Sequence, residues 1–289
     1  MSLLFRLLGR LPLVVLHALG ALLGWASYLA SSAYRRHLRE NLELAFPGAG
    51  MRLRLAAAAE AGKGGLETLR VWFAPEAVLA SMVREVRGWE AVEAARRAGR
   101  SLILVSPHMG SFEIFVAFLF LRHYPVTALY RPHRNALIQD LIERGRGRFV
   151  RLAPAGLSGV RALLAALRRR EVVFVLPDQV PSGGQGQWLP FFGRQAYTMT
   201  LVGRLTAQRE AETFMVFGER LPFGRGFRLH FLPPAPPLAG SVEERTRAIN
   251  ENVESVVRMN PAQYLWGYNR YKIPAGVRSP ASATGPEEC

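Results

Sequence analysis

Residues 101–121 read SLILVSPHMGSFEIFVAFLFL, and this stretch changes character twice. Its first part, SLILVS at 101–106, is a short apolar run of the kind that forms a strand buried on both faces. From residue 111 the stretch has the composition of a helix, which is predicted to continue to residue 123. Pro107 and Gly110 separate the two parts and favour a tight turn. The stretch therefore predicts a strand, a turn and a helix, which together form the first unit of a parallel α/β sheet.

The same alternation of helices and strands continues along the rest of the chain. The remaining predicted strands are PVTALY (125–130), RFVRL (148–152), VVFVLP (172–177), TFMVFG (213–218) and FRLHFL (227–232). The predicted helices are 89–98, 135–147, 157–170, 198–210 and 242–259, with helical sequence also over 37–85, broken at Pro47 and Pro75. A Gly/Pro-rich loop is expected at 177–197. Because such strands pair in parallel through right-handed crossovers, the expected fold class is α/β, a mostly parallel central sheet flanked by helices.

The N-terminal segment Leu11–Tyr34 contains no Asp, Glu, Lys or Arg and is long enough to cross a hydrocarbon core of roughly 30 Å as a helix. Arginines stand on both sides of it, at Arg6 and Arg10 before and at Arg35 after. Arginines at both ends leave the orientation that the positive-inside rule would give undecided. They suit a helix that lies in the membrane interface, or one that spans it with a very short far side. A cleaved signal peptide and a helix of the protein core are the other interpretations. We expect a membrane anchor, because arginines directly follow the small residues at 31–33 and oppose translocation.

Three parts are expected along the chain. They are an N-terminal membrane-anchoring helix over 1–36, an α/β domain over 37–274 and a disordered tail over 275–289. The tail is rich in Pro, Gly and Ser and has too few apolar residues to join a core. Its last residue, Cys289, is the single cysteine, which excludes an intramolecular disulfide and a Cys-rich zinc site.

The charge of the chain points to an anionic partner. Lys and Arg number 37 against 22 Asp and Glu, so the net charge is +15, and Lys63 and Lys272 are the only lysines. Nucleic acid, membrane lipid, a phosphosugar or an acidic protein would each satisfy such an excess. The sequence has no zinc-finger, RRM or KH signature and its charge is scattered, so no nucleic acid is expected.

Several chemical motifs fail when their positions are checked. The stretch 156–160, Gly-Leu-Ser-Gly-Val, lacks the last glycine of a nucleophile elbow. The glycines near 145 and 184 complete neither a dinucleotide fingerprint nor a P-loop. The six histidines form no HExxH motif. We therefore expect no nucleotide cofactor and no metal.

The turn after the first strand carries the best catalytic candidates, His108 and Glu113. Ser111 is expected to cap the following helix, whose dipole favours a carboxylate in the first turn. We expect Glu113 to hydrogen-bond one imidazole nitrogen, which leaves the other to act as a general base. The backbone N–H groups around Gly110 and Ser111 would polarise an acyl carbonyl. Spacing alone leaves open a histidine that merely ends a strand beside a solvated acid.

Other short motifs stand in a fixed order around this turn. They are Asn41-Leu42, Phe46-Pro47, Tyr130-Arg131-Pro132, Asn135, Asp178-Gln179, Phe191-Phe192-Gly193 and the terminal group Trp266, Arg270, Tyr271 and Lys272. With the H-x4-E box and the apolar N-terminal helix, they make the chain resemble the bacterial lipid A biosynthesis acyltransferases over residues 5–274. That family lies in the lysophospholipid-acyltransferase-like superfamily. One departure is Ser111-Phe112, where many members have Asn-Trp.

The resemblance implies acyl transfer from an acyl-carrier-protein or acyl-CoA thioester to a hydroxyl of a lipid A precursor or related glycolipid. His108 would take the hydroxyl proton, with Glu113 orienting and charging the imidazole. The resemblance also implies a place at the inner (cytoplasmic) membrane, with the active site on its cytoplasmic face. The expected partners are thus acyl carrier protein, the glycolipid acceptor and the membrane.

Residues after the other strands are candidates for substrate binding, because α/β crevices open at the carboxyl ends of strands. Arg131 and Arg134 follow PVTALY, and the planar fork of arginine suits phosphate oxygens. Asp178 follows VVFVLP and is expected to bind acceptor hydroxyls, to hold an arginine or to cap its loop. The full set of candidates is Arg131, Arg134, Asn135, Asp178, Gln179, Phe192, Gly193 and Thr198. Basic surface is expected of other arginines, including Arg144, Arg146 and Arg148.

Two alternative functions stay open at this level. The acceptor could be a phospholipid, a phosphatidylinositol mannoside or another glycolipid, with the same chemistry. The chain could instead be a non-catalytic, membrane-tethered protein that binds an anionic lipid or nucleic acid. Replacing His108 and Glu113 by Ala distinguishes the second alternative, because a binding protein would keep its function.

Overall fold

Four helices precede the sheet in the part of the chain that the computed structural model describes, residues 9–182, 184–208 and 210–280. They are α1 Leu13–Ala30, α2 Ser32–Ala45, α3 Met51–Phe73 and α4 Glu76–Met82. The breaks predicted at Pro47 and Pro75 are confirmed, because α2 ends before Pro47 and α4 begins directly after Pro75. Proline has no N–H to donate to a preceding turn, so it is tolerated at a helix start but not within one.

The strands of the described residues fall into two sheets. They are β1 Val83–Arg87, β2 Ser101–Val105, β3 Val126–Tyr130, β4 Arg151–Pro154, β5 Val172–Val175, β6 Gly186–Phe191, β7 Arg194–Met199, β8 Ala211–Arg220 and β9 Phe227–Leu232. The larger sheet has seven strands in the order β1–β9–β8–β2–β5–β3–β4. All its neighbouring pairs are parallel except β8 with β9, which confirms the predicted α/β class.

Helices cover both faces of this sheet. They are α5 Trp89–Arg97, α6 Phe112–Leu121, α7 Ala136–Gly145, α8 Leu157–Arg168, α9 Leu201–Leu205 and α10 Val242–Met259. Successive residues of β2 point to opposite faces. Leu102 and Leu104 join one apolar core with Phe115 of α6, whereas Ile103 joins the other with Ile249 of α10. Because β2 is buried on both faces, its sequence is apolar throughout rather than alternating.

The predicted loop at 177–197 and the predicted helix at 198–210 are both partly wrong. Residues 186–199 form the second sheet, an antiparallel hairpin of β6 and β7, and only α9 remains of the helix. Phe192 and Gly193 both have positive φ and make the two-residue turn that such hairpins favour. Tertiary packing fixes β7, since the buried Thr198 hydroxyl accepts a hydrogen bond from Arg270 at 2.7 Å.

Two strand boundaries also differ from the prediction. β1 forms where helix was predicted up to residue 85, and β4 begins at Arg151 where a strand was predicted from 148. The sequence of β1, VREVR, has no buried-strand pattern because β1 is an edge strand that pairs only with β9. Arg146–Arg148 form a 3-10 turn that continues α7 instead of starting the strand.

α1 has the length and apolar composition of a helix that could cross a membrane. One of its faces nevertheless packs against the protein, with buried residues Leu13, Leu16, His17, Gly20, Gly24 and Tyr28. Of the predicted tail, residues 281–289 lie outside the described residues. Before them, the carbonyl of Arg278 accepts a hydrogen bond from the Trp188 indole at 2.9 Å.

Candidate active site

His108 is held by Asp178 beyond the carboxyl ends of the two central strands β2 and β5. β2 and β5 are parallel neighbours, so the loops after them begin side by side and bring together residues 70 positions apart. The Nδ1 atom of His108 lies 2.7 Å from Oδ1 of Asp178, and the His108 backbone N–H donates to Oδ2 at 2.8 Å. Both oxygens of the carboxylate thus bind the same residue, which fixes the position of the imidazole.

The charge of Asp178 is stabilised by this arrangement. Burial by itself would raise the pKa of Asp178, but the charge of His108, its side-chain and backbone hydrogen bonds and the nearby Arg270 together lower that pKa below its usual range. An ionised Asp178 accepts a hydrogen bond from Nδ1–H of His108, so the lone pair of the neutral imidazole is on Nε2. Among the described residues Nε2 has no hydrogen-bond partner, and the side chain is 20% exposed at the edge of a cavity. The geometry therefore leaves Nε2 as the nitrogen of His108 that can accept a proton.

Glu113 contacts different partners from the one predicted for it. One of its oxygens accepts a hydrogen bond from the Trp72 indole at 3.1 Å, and the other lies 3.4 Å from Nε of Arg146. The hydrogen bond expected between His108 and Glu113 is not made, because Asp178 occupies Nδ1 and Glu113, in the first turn of α6, is engaged by α3 and the turn after α7. Glu113 is nonetheless buried and lines the same cavity as His108.

Gly110 and Ser111 shape the turn after β2 and offer no free N–H donors. The N–H of Gly110 donates to the carbonyl of Gln263 at 2.9 Å, and the N–H of Ser111 donates to the carbonyl of Gly218 at 2.8 Å. Their predicted contribution to an oxyanion site is thus corrected, since both N–H groups are committed to the fold. Gly110 has a φ of +55°, and a Cβ there would lie 2.1 Å from the Gly218 carbonyl oxygen, so only glycine fits. Ser111 precedes α6 as predicted, but its side chain makes no capping hydrogen bond.

A cavity of about 1160 Å³ opens beside His108. Apolar side chains form much of its wall: Trp72, Phe112, Leu129, Ile142, Leu157, Val160, Leu176, Met199, Leu201 and Val242. Three arginines, Arg131, Arg146 and Arg204, also line it, against the single carboxylate of Glu113. The combination of an apolar wall with a few charged groups suits an amphiphilic substrate that carries negative charge.

The predicted substrate-binding residues divide into two groups. Arg131 and Gln179 line the cavity, and Nη2 of Arg131 donates to the Ser182 hydroxyl at 3.0 Å. Asp178 lies behind His108 and serves the imidazole instead of a substrate hydroxyl. The residues not on the cavity wall are Arg134, Asn135, Phe192, Gly193 and Thr198.

These outlying residues have structural roles that the structure makes plain. The Asn135 side chain accepts hydrogen bonds from the N–H groups of Leu137 and Ile138 and caps α7. Phe192 and Gly193 form the hairpin turn, with Phe192 packed against the Trp266 ring at 5.8 Å. Arg134 is exposed, and no contact of its side chain joins it to the cavity.

Sequence does not predict most of the cavity wall, and Arg146 and Trp72 are the two residues of interest beside Glu113. Arg146 was expected on the surface, and Trp72 was not singled out, yet both lie on the cavity wall beside Glu113. The signal available for Arg146 was its place in a Gly-Arg-Gly-Arg run directly after an amphipathic helix, which is too common to be specific. Among the described residues no group of three or more His, Cys, Asp or Glu side chains is arranged to hold a metal.

A sequence profile described as bacterial lipid A biosynthesis acyltransferase matches residues 2–273. The chain belongs to this family. The lauroyltransferase of lipid A biosynthesis from Escherichia coli K12 is 31% identical over 278 residues, covering 93% of this chain and 90% of the relative. The palmitoleoyltransferase of the same strain is 29% identical over 282 residues, covering 93% and 89%. The myristoyltransferase of that strain is 25% identical over 183 residues, covering 62% and 56%.

Family membership makes the protein an acyltransferase of lipid A biosynthesis. The match spans the cavity, the His108 turn and the Asp178 loop, so the described site lies wholly within the family's sequence. The three relatives are named for three different acyl chains, and the names assign none of these chains to this protein.

Proposed function

We propose that this acyltransferase moves a fatty acyl chain from a thioester donor to a hydroxyl of a lipid A precursor, with His108 as the general base. The observation that carries the proposal is the free Nε2 of His108 at the cavity, while Nδ1 is held by the buried carboxylate of Asp178. Nε2 takes the hydroxyl proton as the oxygen attacks the thioester carbonyl carbon. The carbon–sulfur bond then breaks, and the imidazolium returns the proton to the leaving thiolate.

Asp178 is the group that stabilises the imidazolium formed in this step. A buried carboxylate on Nδ1 fixes the tautomer and offsets the positive charge, as the aspartate of a hydrolase triad does. Glu113 then acts at the cavity wall, where it holds Trp72 and Arg146 in place. The dyad supported by the geometry is His108–Asp178, with Glu113 as a positioning residue for the substrate cavity.

The oxyanion of the tetrahedral intermediate needs donors other than Gly110 and Ser111. The N–H groups of Phe112 and Glu113 open the first turn of α6, and both residues line the cavity. Among the described residues these two N–H groups have no acceptor. First-turn N–H groups and the helix dipole stabilise negative charge, so we assign them to the acyl carbonyl oxygen.

A thioester of acyl carrier protein or of coenzyme A is the donor that fits this site. A thioester is already activated, so direct attack by the acceptor hydroxyl needs no acyl-enzyme and no enzyme nucleophile. The site accordingly presents a base with an orienting carboxylate and no serine or cysteine on the imidazole. The strong net positive charge of the chain, +15, favours an acidic carrier protein and anionic lipid.

The geometry of α1 supports attachment along the membrane surface rather than across it. α1 runs antiparallel beside α3, with Gly24 against Ala58, Gly20 against Lys63 and His17 bonded to Glu67. α3 carries charged residues along this length, namely Arg52, Arg54, Glu60, Lys63, Glu67 and Arg70. Crossing the bilayer would carry these charges into hydrocarbon, which is costly.

The opposite face of α1 is apolar and open. Its large exposed apolar residues are Val14, Val15, Leu19, Leu22, Leu23, Trp25 and Leu29. Phe223, 86% exposed with a φ of +58°, extends the surface, because the next residue, Gly224, packs on the backbone of Val14. An apolar helix face flanked by arginines is the pattern of an interfacial helix. We infer that this face enters the cytoplasmic leaflet of the inner membrane.

One experiment tests the proposed reaction. Purified protein in detergent is mixed with acyl-carrier-protein or acyl-CoA donors and a panel of lipid A precursors, phospholipids and other glycolipids, and mass spectrometry shows which acceptor gains an acyl chain. We expect transfer to a lipid A precursor and loss of transfer in His108→Ala. The matched control is His133→Ala, an exposed histidine away from the cavity wall. Transfer only to another lipid would replace the acceptor, and undiminished transfer by His108→Ala would refute the mechanism.

A further inference from the structure

Arg146 lies where a surface arginine was expected, but it is only 9% exposed. It belongs to the 3-10 turn that follows α7, and it lines the cavity that contains His108. A Cβ on Gly145 would lie 2.5 Å from the Trp72 indole, so no larger residue fits there without a shift. The backbone before Arg146 therefore packs tightly on the same tryptophan that binds Glu113.

The guanidinium of Arg146 makes no hydrogen bond among the described residues. Its Nε and Nη2 atoms are buried without an acceptor, and its one ionic neighbour is Oε1 of Glu113 at 3.4 Å. The other oxygen of Glu113 accepts a hydrogen bond from the Trp72 indole and makes none with Arg146. Arginine has five N–H donors, and buried donors in folded proteins nearly always find acceptors. This one stands at a cavity wall without them.

The cavity as a whole carries excess positive charge. Arg131, Arg146 and Arg204 line it with one carboxylate, Glu113, and Arg131 has a neutral partner, the Ser182 hydroxyl. A guanidinium fork matches phosphate oxygens in a bidentate geometry that a lysine cannot reproduce. Of these arginines, only Arg146 combines burial with unsatisfied donors.

We propose that Arg146 binds a phosphate group of a substrate, with Glu113 and Trp72 holding the arginine in place. The proposal rests on the proposed acyl transfer, because it assumes that the cavity receives the reacting molecules. Two substrates carry phosphate: the acceptor, on its sugar, and the donor, in the phosphopantetheine arm that bears the thioester. The site is the same for either source, and the experiment separates them.

The experiment removes the arginine and the phosphate separately and together. Values of kcat/KM are measured for the wild type, Arg146→Met and Arg146→Lys. The acceptor arm compares a phosphorylated lipid acceptor with its dephosphorylated form. The donor arm compares acyl-CoA with the acyl thioester of N-acetylcysteamine, which has no phosphate.

In one arm, we expect loss of phosphate to lower the kcat/KM of the wild type about 10- to 100-fold, the range of a hydrogen bond to a charged group. In the same arm, Arg146→Met should have a kcat/KM that is already lower by this factor with the phosphorylated substrate. Removal of the phosphate should then lower it no further. Arg146→Lys should keep part of it, which a purely structural role of the arginine does not predict. The arm that shows the coupling names the source of the phosphate.

Arg144→Met is the matched control, since Arg144 is two residues away, 58% exposed and paired with Asp140 on the protein surface. Its kcat/KM should depend on phosphate as in the wild type. If phosphate removal costs Arg146→Met as much as it costs the wild type in both arms, the proposal is overturned.

A binding measurement distinguishes failure of the proposed acyl transfer from failure of the proposed phosphate site. If the wild type transfers no chain, calorimetry compares its affinity for phosphorylated and dephosphorylated acceptor and for acyl-CoA and the N-acetylcysteamine thioester. A preference for one phosphorylated compound that Arg146→Met lacks upholds the site without the reaction. If the wild type and Arg146→Met bind each of these compounds with equal affinity, the proposed phosphate site is rejected.

Discussion

At the scale of single residues, the hydrogen bond between His108 and Asp178 decides which imidazole nitrogen stays free at the cavity. Asp178→Asn keeps the shape of the side chain but removes the charge that offsets the imidazolium. We expect kcat to fall about 100- to 10,000-fold, the range for losing a general base or its orienting carboxylate, with little change in KM. Steady-state kinetics with the best donor and acceptor measure both constants.

The control for this prediction is Asp140→Asn, because Asp140 is an exposed carboxylate paired with Arg144 on the same helix. It should leave kcat unchanged. A rise in KM with normal kcat for Asp178→Asn would instead return Asp178 to acceptor binding, one of the three roles that the sequence left open for it.

The two halves of this pair differed in how far sequence could reveal them. His108 and Gly110 were identified because a buried strand, a turn and a helix follow one another locally. The partner of His108 was assigned to Glu113, five residues away, when it is Asp178, 70 residues away. Only the strand order places β5 beside β2, and nothing in the local sequence sets that order. Arg146 escaped for the same reason, since burial of a turn residue depends on what packs over it.

At the scale of elements, one buried ion cluster joins α1, α3, β8 and the catalytic turn. Glu67 of α3 accepts hydrogen bonds from Nε and Nη2 of Arg220, each at 2.6 Å, and lies 2.8 Å from Nε2 of His17. Nη2 of Arg220 also donates to the carbonyl of Gly110 at 3.2 Å. The helix that we propose to contact the membrane and the turn that carries His108 are thus linked through Arg220.

This cluster predicts a dependence of stability on pH. Burial alone would raise the pKa of Glu67, but Arg220 and His17 outweigh it and lower the pKa to about 2. A lowered carboxyl pKa adds stability above pH 4.5 that is lost as pH falls toward 2, here about 3 kcal/mol. Glu67→Gln should cost about 1–3 kcal/mol at pH 7, because buried Arg220 loses the charge of Glu67 and keeps Glu60 as its other carboxylate partner. Urea unfolding from pH 7 to pH 3 measures both.

Glu243→Gln is the control for the cluster, since Glu243 is 53% exposed and pairs only with Arg247 one turn away. Its free energy of unfolding should match that of the wild type within about 0.5 kcal/mol. If Glu67→Gln loses as much stability between pH 7 and pH 3 as the wild type does, the acid sensitivity arises elsewhere.

Elements with a clear pattern were predictable, and those fixed by tertiary contact were not. β2, β5 and α10 appear close to their predicted bounds because continuous apolar runs and helical periodicity report burial directly. The β6–β7 hairpin contains Pro190, Gly186 and Gly193, residues that favour a loop in a sequence-based prediction. It forms because α10 and the C-terminal residues pack on it, as Asn250 does when it donates to the Pro190 carbonyl at 2.8 Å.

At the scale of the whole molecule, the excess positive charge and the apolar face of α1 both favour the proposed binding to a membrane. Arginines flank this face, and Arg10, Arg36, Arg39 and Arg225 are all exposed. Arginines beside an interfacial helix attract anionic headgroups from a distance. The apolar residues contribute to the binding free energy only when they insert into the bilayer. Binding should therefore have a part that salt weakens and a part that apolar substitutions weaken.

Flotation with vesicles of phosphatidylethanolamine and phosphatidylglycerol tests this division. Phe223→Ser and Leu22→Ser should each lower the partition coefficient about tenfold at any salt concentration, since each removes a large apolar side chain from the bilayer. Raising salt should weaken the wild type and both variants by the same factor, because their arginines are unchanged. Leu137→Ser is the control, an equally exposed apolar residue on α7 that should leave partitioning intact. A spanning α1 would behave differently: neither serine variant would float less, and alkaline carbonate would not extract the protein from native membranes.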